Sequence, residues 1–220
     1  DYGRSRGLGD VYKRQNYANA HYNLGKLLCD LRRLKDAEFY TRKAIEINPN
    51  FANAYSNLGK ILYSLGKLKD AELSYRKAIE LNPSFTDAYY NLGNLFFDLN
   101  KLNDAEISYR KAIQLNPNFT AAHYNLGRIS IDLGKLKDAE LSYRKAIELN
   151  PNFAICLANL GDLLRDLGKL KDSEFHTRKA IEINPNYAIA HFNLGNILSD
   201  LGKLKEAEIS FRKAISLKPD

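Results

Sequence analysis

The chain has 220 residues, 45% hydrophobic and 27% charged, with a formal net charge of +7 and only two cysteines. That balance excludes a disordered polymer, and no stretch approaches the roughly 18 consecutive apolar residues of a membrane span. Cys29 and Cys156 fit no CxxC, zinc or haem spacing, so they read as small reduced core residues, which favours an intracellular, cytoplasmic setting.

In chain order, residues 1–17, "DYGRSRGLGDVYKRQNY", obey no helical period and are expected to form an irregular lead-in. The segment "GLGDVYKRQ" resembles translated adapter sequence, and the stretch is assigned no functional weight. From residue 18 the chain repeats itself. Pro49, Pro83, Pro117, Pro151, Pro185 and Pro219 stand 34 residues apart, and Gly25, Gly59, Gly93, Gly127, Gly161 and Gly195 keep the same step. A fixed period in this range marks a stacked repeat protein. The units fall at 18–51, 52–85, 86–119, 120–153, 154–187 and 188–220.

Each unit predicts two helices. In 52–85, Ala54, Leu58, Ile61, Leu62 and Leu65 share one face of a first helix, and Leu68, Ala71, Tyr75, Ala78 and Ile79 share one face of a second. "LGK" at 65–67 separates them, because glycine tolerates tight-turn geometry, and "NP" at 82–83 ends the second. Such short connections force the pair antiparallel. Gly59 lies inside the first helix, where glycine costs about 1 kcal/mol against alanine. Its recurrence predicts close helix–helix approach, with Ala71 as the facing small residue. Ser173 replaces that alanine in one unit and needs a partner for its hydroxyl. Arg32 and Asn100 replace the turn glycine, while Thr41 and Thr177 replace the tyrosine.

The pattern Tyr55, Leu58, Gly59, Leu62, Ala71, Tyr75, Ala78 and Pro83, in register over 203 of the 220 residues, resembles the tetratricopeptide repeat (TPR) family. The resemblance implies an all-α fold, a right-handed alpha-solenoid superhelix of six antiparallel helix pairs. First helices would line a concave groove and second helices form the convex back. A solenoid end needs a polar cap, and the array reaches Asp220 without one, so the expectation is either that the chain is a fragment or that it self-stacks end to end there.

The charge has a bland explanation. Arg-Lys pairs recur at 42–43, 76–77, 110–111, 144–145, 178–179 and 212–213, interleaved with acids on the same second helices. They predict a solvated convex face with local ion pairs, without aromatic interleaving or a nucleic-acid motif. Nucleic acid and membrane are therefore not expected partners.

The groove is more informative. Asn23, Asn57, Asn91, Asn125, Asn159 and Asn193 recur at one position of the first helices. A side-chain amide offers both a donor and an acceptor, so a row of them can pair with successive peptide units of an extended chain. It resembles the asparagine ladder in the TPR arm of protein O-linked N-acetylglucosamine transferases and related bacterial arrays. The competing reading is that each amide binds local backbone or a neighbouring repeat. Around the row, Tyr22, Tyr90, Phe97, Tyr124 and Phe192 supply contact area. Lys26, Lys60 and Arg128 are outnumbered by acids, among them Asp98, Asp132 and Asp166, so the groove favours a neutral-to-basic peptide.

No catalytic constellation emerges. His21, His123 and His191 share one first-helix place as packing residues too far apart for a metal, and no phosphate loop or nucleophile motif is present. No cofactor or metal is expected, and the chain is not read as an enzyme. Three uses remain open: a protein–protein interaction scaffold that binds an extended peptide, a substrate-recruiting arm of a larger glycosyltransferase- or sulfotransferase-like enzyme, and a structural spacer.

Overall fold

The computed structural model describes residues 2–218, with side chains described for residue 15 and residues 17–218. Among these, twelve α-helices and no strand occur. They form two compact units, Asp1–Asn116 and Pro117–Asp220. The first holds α1 (Tyr2–Asp30), α2 (Leu34–Ile47), α3 (Ala52–Ser64), α4 (Leu68–Leu81), α5 (Thr86–Asp98) and α6 (Leu102–Leu115). The second holds α7 (Thr120–Asp132), α8 (Leu136–Leu149), α9 (Ala154–Asp166), α10 (Leu170–Ile183), α11 (Ala188–Asp200) and α12 (Leu204–Leu217). Odd and even helices pair in order, and within each unit an even helix also packs on the next odd one. Each unit is thus a stack of antiparallel helix pairs.

The lead-in departs from expectation, since α1 begins at Tyr2. Extending a helix that the first repeat has already nucleated adds a hydrogen bond per residue with no second nucleation cost. The expected stacking face at Asp220 lies outside the described residues.

The turns follow the sequence closely. Gly66, Gly134, Gly168 and Gly202 have φ of 71–74°, and the amide of Lys67 donates back to the Leu62 carbonyl at 2.9 Å, closing α3 as a left-handed cap. Arg32 and Asn100 take the same backbone region, at φ 61° and 56°. At the other connection, the Asn82 side-chain oxygen accepts the Ser84 amide at 3.1 Å and orders the turn before α5.

The mid-helix glycines work differently from the expectation. A Cβ on Gly59 would lie 2.6 Å from the Tyr75 ring, and on Gly127 2.6 Å from the Tyr143 ring. The glycine therefore makes room for the aromatic residue of the following helix, not for Ala71. Ala71 and its counterparts Ala37, Ala105 and Ala139 are fully buried all the same. The Ser173 hydroxyl finds its partner, donating to the Gly161 carbonyl at 2.6 Å. Cys29 and Cys156 are both buried free thiols, and burial pushes the Cys156 thiol up to about 12.

Candidate functional site

The first helices of each unit place the amides at one register, but in unequal surroundings. Asn23 is exposed, Asn57, Asn91, Asn125 and Asn159 are half-buried, and Asn193 is buried. Asn57 Nδ2 donates to Thr41 Oγ1 and Asn159 Nδ2 donates to Tyr124 Oη, each at 3.2 Å. Part of each amide thus joins one repeat to the preceding one. A carbonyl and a second N–H remain on Asn57, whereas the Asn159 amide is also hydrogen-bonded to Tyr143.

The aromatic residues divide themselves in the same way. Tyr22 packs against Phe51 with centroids 5.0 Å apart, and Tyr90 against Tyr109 at 5.8 Å. Tyr124 contacts both Tyr143 and Phe153, at 6.0 and 4.9 Å. Phe97 is half-buried, whereas Phe192, 6.0 Å from Phe211, keeps half its surface in solvent. These rings support the repeat on one side and present surface on the other.

The charged residues are cross-linked along the first helices. In unit one the Tyr63 hydroxyl donates to the Asp98 carboxylate, and that bond pushes Tyr63 up to about 12. In unit two Arg165 Nε donates to Asp200 at 2.7 Å, and the Arg128 guanidinium lies 5.9 Å from the Tyr124 ring centroid. Lys26, Lys60, Asp132 and Asp166 are exposed. A recess of about 250 Å³ in unit two brings Arg128, Asp132 and Asn159 together beside Tyr143 and Asp162. Sequence reasoning missed Tyr63 and Arg165 as partners of the groove acids. The signal was present, because each precedes its aspartate by 35 residues, one repeat plus one position.

The histidines pack. His21 stacks on Tyr40, and the Nε2 atoms of His123 and His191 lie 2.9 Å from the carbonyls of Pro117 and Pro185. Among the described residues no group of three or more His, Cys, Asp or Glu is placed to hold a metal ion, and no helix is long and apolar enough to cross a membrane.

The second helices depart from a purely charged, solvated face. Phe39, Leu73 and Ile107 in unit one, and Leu141, Phe175 and Ile209 in unit two, are 56–71% exposed at one repeat position. The sequence carried this signal too, since Leu73 lies off the Leu68, Ala71, Tyr75, Ala78 stripe and recurs in every unit.

Comparison with known proteins agrees with this geometry. The model described as tetratricopeptide repeat matches residues 18–51, 86–119, 120–153 and 188–220, and a second of that description matches 142–175. A TPR repeat model matches 42–66, 59–100 and 161–202. No curated protein matches. Among solved structures the chain is similar to YrrB, described as a TPR protein with an unusual peptide-binding site, at 29% identity and TM-score 0.73 over 82% of this chain and 93% of that one. It is similar to MamA at 25% identity and TM-score 0.70, over 74% of this chain and 95% of that one. It also shares its fold with PilF of Pseudomonas aeruginosa, at 21% identity and TM-score 0.83 over 94% of each chain.

Proposed function

Because the chain belongs to the tetratricopeptide repeat family, we propose that it is a protein-interaction scaffold whose first helices bind an extended, neutral-to-basic peptide segment. The observation that carries this reading is the row of amides at one register, Asn57 and Asn91 in one unit and Asn125 and Asn159 in the other, half-buried beside Tyr90 and Tyr124. An amide held at one end by its neighbour is pre-oriented, so less side-chain entropy is lost when a ligand pairs with the rest of it. Peptide backbone would be read by these asparagines. Phe97 and Tyr124 would contact side chains, and Asp98, Asp132 and Asp166 would favour Lys or Arg in the partner. YrrB, with its peptide-binding site, lends support from a related fold.

The same row favours a second reading, a recruiting arm of the kind found in O-linked N-acetylglucosamine transferases, in which the peptide is the substrate of an attached catalytic domain. The reading frame downstream of Asp220 distinguishes the two. Binding itself is tested on a peptide array with wild type and the Asn91→Ala, Asn125→Ala, Asn159→Ala triple variant. We expect at least a tenfold loss, about 1.4 kcal/mol, with the melting temperature held near wild type. Unchanged binding by a folded variant refutes the ladder. Loss of the fold assigns the amides to the repeat interface, where Asn57 and Asn159 are already hydrogen-bonded.

A further inference from the structure

The apolar side chains left in solvent by the second helices border troughs, and two of these troughs share an uncommon charge pattern. In unit one, α4 and α6 flank α5 around a trough of about 840 Å³. Its floor is Leu92 and Phe96, its walls are Ile79 and Ile107, and Arg76, Arg110 and Lys111 stand on its rim. The Arg76 guanidinium and the Lys101 ammonium lie 5.6 and 5.5 Å from the Phe96 ring centroid, so cations reach over the apolar floor. Two acids also line it, Glu80 and Asp104, and Glu80 is held by Lys77 at 2.6 Å.

The rim lysine separates this trough from its neighbours. In α2, α4 and α8 the equivalent lysines, Lys43, Lys77 and Lys145, donate to a glutamate three residues on, at 2.6–2.7 Å. In α6 that glutamate is Gln114, so Lys111 donates to a neutral amide at 2.9 Å. In unit two the equivalent trough, about 450 Å³ between α10 and α12, is lined by Ile181, Leu194 and Ile209 with Arg178 and Lys213 and one acid, Glu182. There the glutamate is replaced by Ser216. Both troughs thus end on a lysine whose own helix supplies no carboxylate at that place.

The chemistry of the walls decides the form of the occupant. An apolar trough between helices offers no row of backbone donors or acceptors, so a bound segment must satisfy its own, and a helix does. The flanking helices are about 21 Å long, which a partner helix of about 14 residues matches. Arg76 and Lys101 share Glu72, Arg110 holds Glu106, and Arg178 holds Glu174 and Glu206, so it is the rim lysines Lys111 and Lys213 that favour acidic flanks. We infer that the trough over α5, and its counterpart over α11, dock the apolar face of an acidic amphipathic helix from a partner protein. This surface is walled by the second helices, uses other residues of α5 and α11 than their asparagines, and does not depend on the amide row.

The probe is a capped, fluorescein-labelled peptide of about 14 residues with Leu at i, i+3, i+4 and i+7 and Glu elsewhere, titrated by anisotropy against the full chain. The peptide should bind, gain helicity on binding, and lose at least tenfold in affinity with the Ile107→Asp, Ile209→Asp double variant and with the Lys111→Glu, Lys213→Glu double variant. Ile107 and Ile209 are 67% and 69% exposed, so the double variant should melt as wild type does, and Ile107→Gln with Ile209→Gln is a milder second pair. The amide triple variant should bind the probe normally, which separates this surface from the groove. Equal binding by the double variants, or by a peptide with Lys in place of Glu, overturns the inference. So does self-association that the isoleucine double variant abolishes, which would make the occupant a second copy. Ile107-dependent binding to anionic vesicles in place of the peptide would assign the face to a lipid surface and equally overturn it.

Discussion

Replacing Gly127 by alanine sets two effects of known sign against each other. Glycine inside a helix costs about 1 kcal/mol relative to alanine, so on propensity alone the variant gains that much. The new Cβ, however, would stand 2.6 Å from two ring carbons of Tyr143, where contact distances of about 3.5–4.0 Å are normal. Tyr143 is 1% exposed and packs against Tyr124, so its ring has no free volume to enter. Overpacking of this kind costs about 1–3 kcal/mol, and with Tyr143 fully enclosed the upper part of that range applies, so it should outweigh the propensity gain for a net loss of up to about 2 kcal/mol. Gly127→Leu should lose more. The assay is urea unfolding followed by far-UV circular dichroism, repeated in a Tyr143→Ala background as a double-mutant cycle. Without the ring, Gly127→Ala should no longer be penalised and its helical preference should appear. A Gly127→Ala protein at least as stable as wild type, or an equal penalty in both backgrounds, would refute the claim that the glycine exists to seat the ring.

Arg32→Gly should stabilise the chain by about 1 kcal/mol, because a side chain with a Cβ is held at φ 61° in a turn where other units use glycine. Asn100→Gly should gain less, since asparagine tolerates that region, and urea midpoints of the two variants give the comparison. Acid should loosen the stack through Glu140 and Glu174. The hydrogen bond from Lys169 holds the Glu140 carboxyl below its ordinary range, and that from Lys203 does the same for Glu174. A folded-state pKa below the unfolded value means the stabilisation is complete above the unfolded pKa of about 4.3 and is lost as pH falls through the folded one. Glu140→Gln should therefore flatten the pH dependence of stability below about pH 4.3, and an unchanged profile would remove this pair from the account.

Helices and turns were legible because each depends on local rules. Residue 66 needs a left-handed backbone, residue 83 cannot continue a helix, and the apolar spacing of Leu58, Ile61 and Leu62 has one period. The role of Gly59 was harder to see. Its partner Tyr75 lies across a turn, and a small residue such as Ala71 looks equally suitable until the direction of the ring is known. The amide row was legible as a row. What it touches was not, because whether Asn57 reaches Thr41 or solvent depends on how far two helices approach. The exposed column Phe39, Leu73, Ile107 went unread for the opposite reason: apolar residues among charges are ordinary singly, and only repetition makes them a surface.

The lysine before each second helix has a consequence of its own. Lys67 binds Glu38 and Lys101 binds Glu72 in the first unit, and Lys169 binds Glu140 and Lys203 binds Glu174 in the second, the partners standing 29 positions apart each time. The second and fifth repeats therefore each carry both halves of a clasp, a cation that reaches backward and an anion that receives the next cation. A gene segment copied whole arrives already able to fasten at both edges, and one cut out leaves behind two edges that still fit. Genetic change at such a locus can lengthen or shorten the array by whole multiples of 34 residues without inventing a new junction, whereas a shift of a single residue would unfasten every clasp it crosses.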